Sequence, residues 1–539
     1  MLLIFAFFVS LVVTMLLIPP VMKWADKIGA IDVPDARKVH TQSIPRVGGI
    51  AMVAGSVISI LLLAELDQQV IAILVGFLVI WGFGLWDDKC DLNYKVKFLG
   101  QLLAVVVVVT WGDVIVRTFP FIDGHLPDYL AIPFSIFALV GITNAINLSD
   151  GLDGLAGGTS LITISIIALL AFDAHGEMVV LISMAVAGSI LGFLRHNTHP
   201  ARLFMGDTGS QFLGFSLGVL VIVLSQSVNS AMSPFIPLFI LGLPILDTMA
   251  VMGQRLYEKR SPFSPDKNHI HHKLLDIGFD QYEAVFIIYL LQSTLVAVAY
   301  FMLYESDAVL ILIYILISAF VLGFFHYARL TGWKFHTKEL SDTSFLKALV
   351  HSLREKGWLT TVPTLMLKTL VPLLLVLSVI LATDVKQDMA ILATFLLVVL
   401  LGSVLVGSSV SGIIEKAVVY VVAVMAIYLL PVNNIELVSS NIVNWFFVVL
   451  VIAFSLRVYF SDDKTFQITP LDYLVIIMVI IVPNLPEVHL EDSDVGEMAV
   501  KLIILFYASE AVMGLKNNNW DVLRIGTLTA LSILLIRGF

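Results

Sequence analysis

Residues Asn144 to Gly158 read Asn-Ala-Ile-Asn-Leu-Ser-Asp-Gly-Leu-Asp-Gly-Leu-Ala-Gly-Gly, which puts Asn144, Asn147, Asp150 and Asp153 within ten positions, between two apolar runs. Carboxylates and carboxamides offer hard oxygen ligands of the kind that take a divalent cation. At the end of a membrane helix such groups are costly to keep and suggest a site. The plain alternative is a flexible glycine-rich turn, but a turn needs fewer polar groups than these four.

Four further clusters carry chemistry. The first is Asp32-Val-Pro-Asp-Ala-Arg-Lys-Val-His40 followed by Pro45-Arg-Val-Gly-Gly49, where Arg37, Lys38 and Arg46 supply donors and charge for phosphate, or simply form a basic loop. The second runs from Trp86 to Lys97 with the adjacent carboxylates Asp87 and Asp88, which repel unless a cation lies near, and with Gln101 a turn further on. The third is Phe204-Met-Gly-Asp-Thr-Gly-Ser210, in which Asp207 opens a helix, either as a cap or as a metal ligand. The fourth is Ser261 to His272, with His269, His271 and His272. Three histidines invite zinc, but Arg255, Lys259, Arg260 and Lys267 beside them suit phosphate or sugar hydroxyls better. Asp247, inside the preceding helix, is a further carboxylate at membrane depth, whose plain role is to partner a polar neighbour.

The elements that position these residues are membrane helices. The chain has 539 residues, 59% hydrophobic and 13% charged, with a mean hydropathy of +0.97. Apolar runs of membrane-spanning length recur throughout, so the fold class is all-α, a polytopic integral membrane protein and not a β-barrel. Eleven helices are expected at about 2–22, 47–66, 70–86, 97–111, 130–148, 155–172, 178–195, 208–227, 234–253, 284–304 and 308–327. They form a first block over residues 1–330, followed by a polar linker over 331–362 with an amphipathic surface helix, and then by an additional transmembrane domain over 363–539. That last block has seven candidate helices near 363–383, 389–409, 413–430, 442–459, 470–486, 498–515 and 521–538, and few groups that do chemistry. Met1 to Ile18 has neither a basic start nor a cleavage site and reads as a retained helix.

Lys and Arg up to Lys368 concentrate in alternate loops, with Arg117 the exception. The positive-inside rule therefore puts the N-terminus outside and all five clusters on the cytoplasmic side of the membrane. The net charge of −10 and the lack of a basic face exclude nucleic acid as a partner. Cys90 is the single cysteine, which excludes an internal disulfide and a cysteine metal site. No P-loop, dinucleotide fingerprint or serine-nucleophile elbow occurs. Carboxylates and cations gathered at one face suggest Mg²⁺-dependent chemistry, with Mn²⁺ as an alternative ion, on a phosphorylated nucleotide-type substrate and a second substrate drawn from the bilayer.

At these clusters the sequence resembles the bacterial polyprenyl-phosphate N-acetylhexosamine-1-phosphate transferases. The matching pieces are Asp-x-Pro-x-x-Arg-Lys-x-His over 32–40, Pro-x-x-Gly-Gly over 45–49, Asp87-Asp88 with Lys97, Asn-x-x-Asn-Leu-x-Asp-Gly-x-Asp-Gly-Leu-Ala over 144–156, Phe-Met-Gly-Asp-x-Gly-Ser over 204–210 and His-Ile-His-His over 269–272. The resemblance covers residues 1–330 and lies nearest the enzymes that start O-antigen with N-acetylglucosamine. It implies that UDP-N-acetylglucosamine, or another UDP-N-acetylhexosamine, and undecaprenyl phosphate are the substrates, and that UMP is released in the first membrane step of a lipopolysaccharide or other cell-wall polysaccharide. It also implies that the membrane is a bacterial inner membrane. It implies Asn147 and Asp207 as metal ligands and Asp87, Asp88, Asp150 and Asp153 as catalytic candidates. It implies Arg37, Lys38, His40, Lys97, Asn144, His269, His271 and His272 as substrate contacts. A homodimer, or a complex with other polysaccharide-assembly proteins, is a further expectation. Two rival readings remain: a transporter or flippase of lipid-linked sugars, which needs polar groups near mid-membrane, and a bifunctional initiator fused to a polymerase-like or scaffold module.

Overall fold

The computed structural model describes residues 2–32, 43–122, 124–261, 268–335, 358–382, 385, 387–406, 409–430, 440–460, 489–490, 493–513 and 521–538. Arg37, Lys38, His40, Lys267, the surface helix expected in the linker and the helix expected at 470–486 lie outside these residues. The protein is an all-α polytopic membrane protein, and among the described residues nine helices are long and apolar enough to cross a bilayer.

The chain divides into two compact units that part at Lys338. In the first, α1 (Leu2–Ile28), α2 (Gly48–Leu63), α3 (Gln68–Cys90), α4 (Tyr94–Thr110), α5 (Asp128–Ser149), α6 (Leu155–Asp173), α7 (Glu177–Asn197) and α8 (Gly206–Val223) follow one another. Then come the short α9 (Ile236–Ile240), α10 (Gly242–Tyr257), α11 (Ile270–Ile277), α12 (Gln281–Phe301) and α13 (Asp307–Thr331). Helix α8 is the hub: 83% of its apolar stretch is buried, against 22% for the peripheral α13. It packs on α2, α3 and α5. Small residues permit this, since a side chain on Gly49 would lie 2.3 Å from the backbone nitrogen of Gly209.

The helix expected over 234–253 is broken at Leu241 into α9 and α10. Pro244 cannot donate to the carbonyl of Ile240, and a bare carbonyl is costly away from water. Gln292 of α12 resolves this, with Nε2 donating to Ile240 O at 2.8 Å and Oε1 accepting from Leu243 N at 3.2 Å. Helix α11 was not among the expected helices, because its eight residues are too few and too polar to read as a span.

A two-residue hairpin, β1 (Ile31–Asp32) with β2 (Ile44–Pro45), joins α1 to α2. It carries Arg46 onto the carboxylate of Asp32. The following segment is knitted to the start of α8, with Phe204 N donating to Pro45 O at 2.8 Å, Gly48 N to Phe204 O at 2.9 Å and Gly49 N to Met205 O at 2.9 Å. Arg117, the exception to the charge pattern, is held bidentately by Asp113 at 2.8 and 3.2 Å.

The second unit contains α14 (Trp358–Leu381), α15 (Gln387–Val406), α16 (Ser409–Leu429), α17 (Ser440–Phe460), α18 (Val495–Met513) and α19 (Asp521–Gly538), with a small hairpin β3 (His489–Leu490) and β4 (Ser493–Asp494). Its core is aliphatic, centred on Val371, Leu375, Val422, Ala426, Leu450 and Leu531. Among its described residues ion pairs link helices: Arg524 lies 2.8 Å from the buried Glu415, and Lys416 lies 2.7 Å from Glu510, which also accepts from Tyr420.

Candidate functional site

Four helix ends meet at the start of α8. Helix α3 runs to Cys90, so Asp87 and Asp88 stand in its last turn and not in the loop expected after residue 86. Lys97 lies in the first turn of α4, Asn144 and Asn147 in the last two turns of α5, and Asp207 in the first turn of α8. The clustered polar groups therefore lie at helix ends and not at mid-depth, which is the opposite of what a transport pathway needs.

Lys97 Nζ bridges two carboxylates, 2.5 Å from Asp87 Oδ2 and 3.3 Å from Asp207 Oδ2. Asp87 Oδ1 accepts from Leu92 N at 2.7 Å, while Oδ2 is buried and receives no well-directed hydrogen bond despite the nearby ammonium. Asp207 Oδ1 accepts from Asn147 Nδ2 at 2.7 Å, and the same amide donates to Ser210 Oγ at 2.8 Å. Fixing Asn147 Nδ2 in this way turns its Oδ1 away from Asp207.

Asp88 does something else. Its oxygens accept from Asp207 N at 2.7 Å, Thr208 N at 3.1 Å and Thr208 Oγ1 at 2.5 Å. It caps α8 from outside and satisfies backbone donors that no intrahelical carbonyl can reach. Met205 stands at the N-cap and offers no side-chain bond, so neither Asp207 nor Thr208 caps this helix. Asn144 is likewise engaged. It exchanges hydrogen bonds with Gln101, which also reaches Gln211 at 3.2 Å, in a buried amide network joining α4, α5 and α8.

The turn between α5 and α6 carries Asp150 and Asp153. Asp153 is bound by His199 Nδ1 at 2.7 Å and Ala201 N at 3.0 Å, so it ties the turn to the α7–α8 loop. Asn197 Oδ1 accepts from Gly154 N at 2.9 Å, and Tyr289 Oη donates to Gly154 O at 2.7 Å. Tyr282 stands edge-on to His199 at 4.9 Å. Asp150 has no side-chain partner among the described residues. It is solvent-accessible yet closely surrounded by protein. That desolvation, with the charges of Asp207, Asp153 and Asp88 behind it, raises its carboxyl to about 7.

The histidines divide. His269 and His271 are buried, and His272 is half-buried. His269 is bound to Asp247, and His271 packs on Gly151. Burial, reinforced by His272, lowers His271 to about 3, so its ring is neutral near pH 7.

Among the described residues no three His, Cys, Asp or Glu side chains converge closely enough to hold a metal by themselves. Asp207 and Asp87 offer hard carboxylate oxygens, the buried Asp87 Oδ2 already faces one cation in Lys97, and Asn147 would add its Oδ1 only on turning its amide over.

The structure brings together Asp87, Asp88, Lys97, Asn144, Asn147, Asp150 and Asp207, and seats His271 over the same turn. Residues that sequence reasoning does not single out are Asn197, His199, Gln211, Tyr282 and Tyr289, while Thr208 and Ser210 stand inside the 204–210 motif without an assigned substrate or metal role. The polar run Arg195-His-Asn-Thr-His199 before the α8 motif was the available signal for two of them.

The sequence profile of Glycosyl transferase family 4 matches residues 70–225. The chain is 42% identical over 289 residues, 53% of this chain and 81% of the other, to a probable undecaprenyl-phosphate N-acetylglucosaminyl 1-phosphate transferase of Bacillus subtilis. It is 37% identical over 303 residues, half of this chain and 75% of the other, to a decaprenyl-phosphate N-acetylglucosaminephosphotransferase of Mycobacterium tuberculosis. An undecaprenyl-phosphate alpha-N-acetylglucosaminyl 1-phosphate transferase of Escherichia coli is 30% identical over 314 residues, 57% of this chain and 84% of the other.

Proposed function

From the premise that this chain belongs to the polyprenyl-phosphate N-acetylhexosamine-1-phosphate transferases of glycosyl transferase family 4, we propose that it transfers N-acetylglucosamine 1-phosphate from UDP-N-acetylglucosamine to undecaprenyl phosphate and releases UMP. The observation that carries the reading is the convergence of Asp87, Lys97, Asn147 and Asp207 from four helix ends. A phosphate at the end of a membrane-held lipid can meet a soluble nucleotide only at such an end. The reaction side is the cytoplasmic face, and the pathway is a cell-surface polysaccharide.

An oxygen of the lipid phosphate attacks the β-phosphorus, and the bond from that phosphorus to the oxygen bridging the α-phosphate breaks. UMP leaves with the bonding electrons, and the sugar C1–O bond is untouched. The lipid phosphate is mostly ionised near neutral pH, with a second pKa of roughly 6, so little deprotonation is required. Lys97 lies where it can hold an attacking or departing phosphate oxygen once ligand competes for its carboxylates. Asp87 fixes that ammonium, and Asp88 fixes the backbone that presents Asp207. Asp207, with Asp87 or Asp150 and with Asn147 once its amide turns its oxygen inward, would hold Mg²⁺, which when bound offsets charge on the diphosphate. Asp153 and Asn144 work as positioning residues through the bonds described above.

The test is isotopic. UDP-N-acetylglucosamine carrying ¹⁸O between C1 and the β-phosphorus is turned over with undecaprenyl phosphate. Label retained wholly in the lipid product supports attack at phosphorus, and label lost refutes it.

A further inference from the structure

We infer that Asp247 is a positioning residue that latches the histidine-bearing helix α11 against the turn carrying Asp150, and that it acts through His269. The inference rests on the transferase reading for its assay.

Asp247 lies inside α10, buried, with both oxygens committed. Its Oδ1 accepts from Ile270 N at 2.9 Å, and its Oδ2 lies 2.9 Å from His269 Nδ1. Ile270 opens α11, and His269 at the N-cap gives that helix no side-chain cap. Asp247 therefore supplies from α10 both the acceptor and the negative charge that the start of a helix favours. The bond to His269 has a second consequence. A carboxylate can only accept, so His269 Nδ1 carries the hydrogen, and in the neutral ring Nε2 presents its lone pair.

The effect passes on to His271. Its ring lies parallel to that of His269, with centroids 5.9 Å apart and planes 8° apart. It covers Gly151 so closely that a side-chain carbon there would lie 2.2 Å from His271 Nε2. Gly151 follows Asp150 directly. On its other side the same turn is pinned by Asn197, Tyr289 and His199. Asp247 thus closes a path of contacts running Asp247–His269–His271–Gly151–Asp150, although it does not itself face the converging helix ends.

The test is steady-state kinetics of the purified full chain, with UDP-N-acetylglucosamine varied at saturating undecaprenyl phosphate and Mg²⁺. Asp247→Asn keeps an acceptor for Ile270 N but turns an amide N–H₂ towards His269, which forces the other tautomer. We expect KM for the nucleotide sugar to rise about tenfold while kcat stays within about threefold, the size of one mismatched buried hydrogen bond. His269→Gln should raise KM by a similar factor, and the double variant should be no worse than either single one, because both break the same latch. Unchanged KM, a fall in kcat alone, or multiplying effects in the double variant overturn the inference. If Asp247→Asn cannot be purified, His269→Gln carries the test alone: raised KM supports the latch and unchanged KM refutes it. Failure of the wild-type chain to release UMP would count against the transferase reading and is read in the same experiment before any variant.

Discussion

Gly206→Ala tests the arrangement at the start of α8 with a single added methyl group. Gly206 has φ of +69°, and a side-chain carbon there would lie 2.5 Å from Asp88 Oδ1 and 2.6 Å from Oδ2. The left-handed backbone costs about 1–2 kcal/mol for a residue with a side chain. To reach ordinary contact the carboxylate must retreat by about 0.9 Å. That stretches its bonds to Asp207 N, now 2.7 Å, and Thr208 Oγ1, now 2.5 Å. Losing one such charge-assisted bond costs about 1.5–3 kcal/mol. The combined cost is about 2.5–5 kcal/mol, or a rate loss of about 70- to 5000-fold if it falls on the placement of Asp207. The assay is UMP release against Mg²⁺ concentration, beside the melting temperature in detergent. Activity should fall and the Mg²⁺ requirement should rise. Gly82→Ala, a helical position where a methyl group meets nothing within 4 Å, should leave both unchanged. Wild-type activity in Gly206→Ala would refute the claim that Asp88 must hold this turn.

Three further outcomes follow from the same geometry. Lys97→Met removes the cation between Asp87 and Asp207, and should lower kcat by about 100-fold or more, a loss worth about two charge-assisted bonds, with the fold retained by circular dichroism; a change under about threefold would contradict it. Asp150 has its folded value raised to about 7, above its unfolded value, so its contribution favours the fold at acid pH and is lost as pH rises through 7. Metal-free protein should therefore melt higher at about pH 6 than at about pH 8, and Asp150→Asn should reduce that difference; an unaltered difference removes Asp150 as its source. His271 is shifted the other way, to about 3, so its contribution is present above about pH 6.5 and lost only as pH falls towards 3. The pH profile of KM for the nucleotide sugar should keep its shape in His271→Gln, and an acid limb that vanishes in that variant would show that His271 titrates.

Much of this was legible from spacing. Asp87, Lys97, Asn147 and Asp207 stand out because carboxylates and carboxamides sit beside cations in several separate short segments that interrupt apolar runs, and the structure gathers them. What spacing could not separate was the role of neighbours. Asp87 faces Lys97, whereas Asp88, one residue on, points to another side of the helix and caps α8. Asp150 and Asp153 look equivalent in sequence, but one is open and the other is held by His199 from a loop 46 residues away. The break at Leu241 depends on Gln292, a partner from a later helix that no local pattern reveals. The histidine cluster looked like a ligand surface, yet two of its three rings are buried in contacts within the protein. The second unit offers little chemistry in sequence, and several of its described charges, such as Lys416 with Glu510 and Arg524 with Glu415, pair within it.

The most direct measurement is UMP release by the purified full chain given UDP-N-acetylglucosamine, undecaprenyl phosphate and Mg²⁺, beside Asp207→Asn. The account predicts release that requires all three components and falls by at least about 100-fold in Asp207→Asn, the scale of one lost charge–metal interaction. Release that proceeds without undecaprenyl phosphate, or that survives Asp207→Asn unchanged, would contradict it.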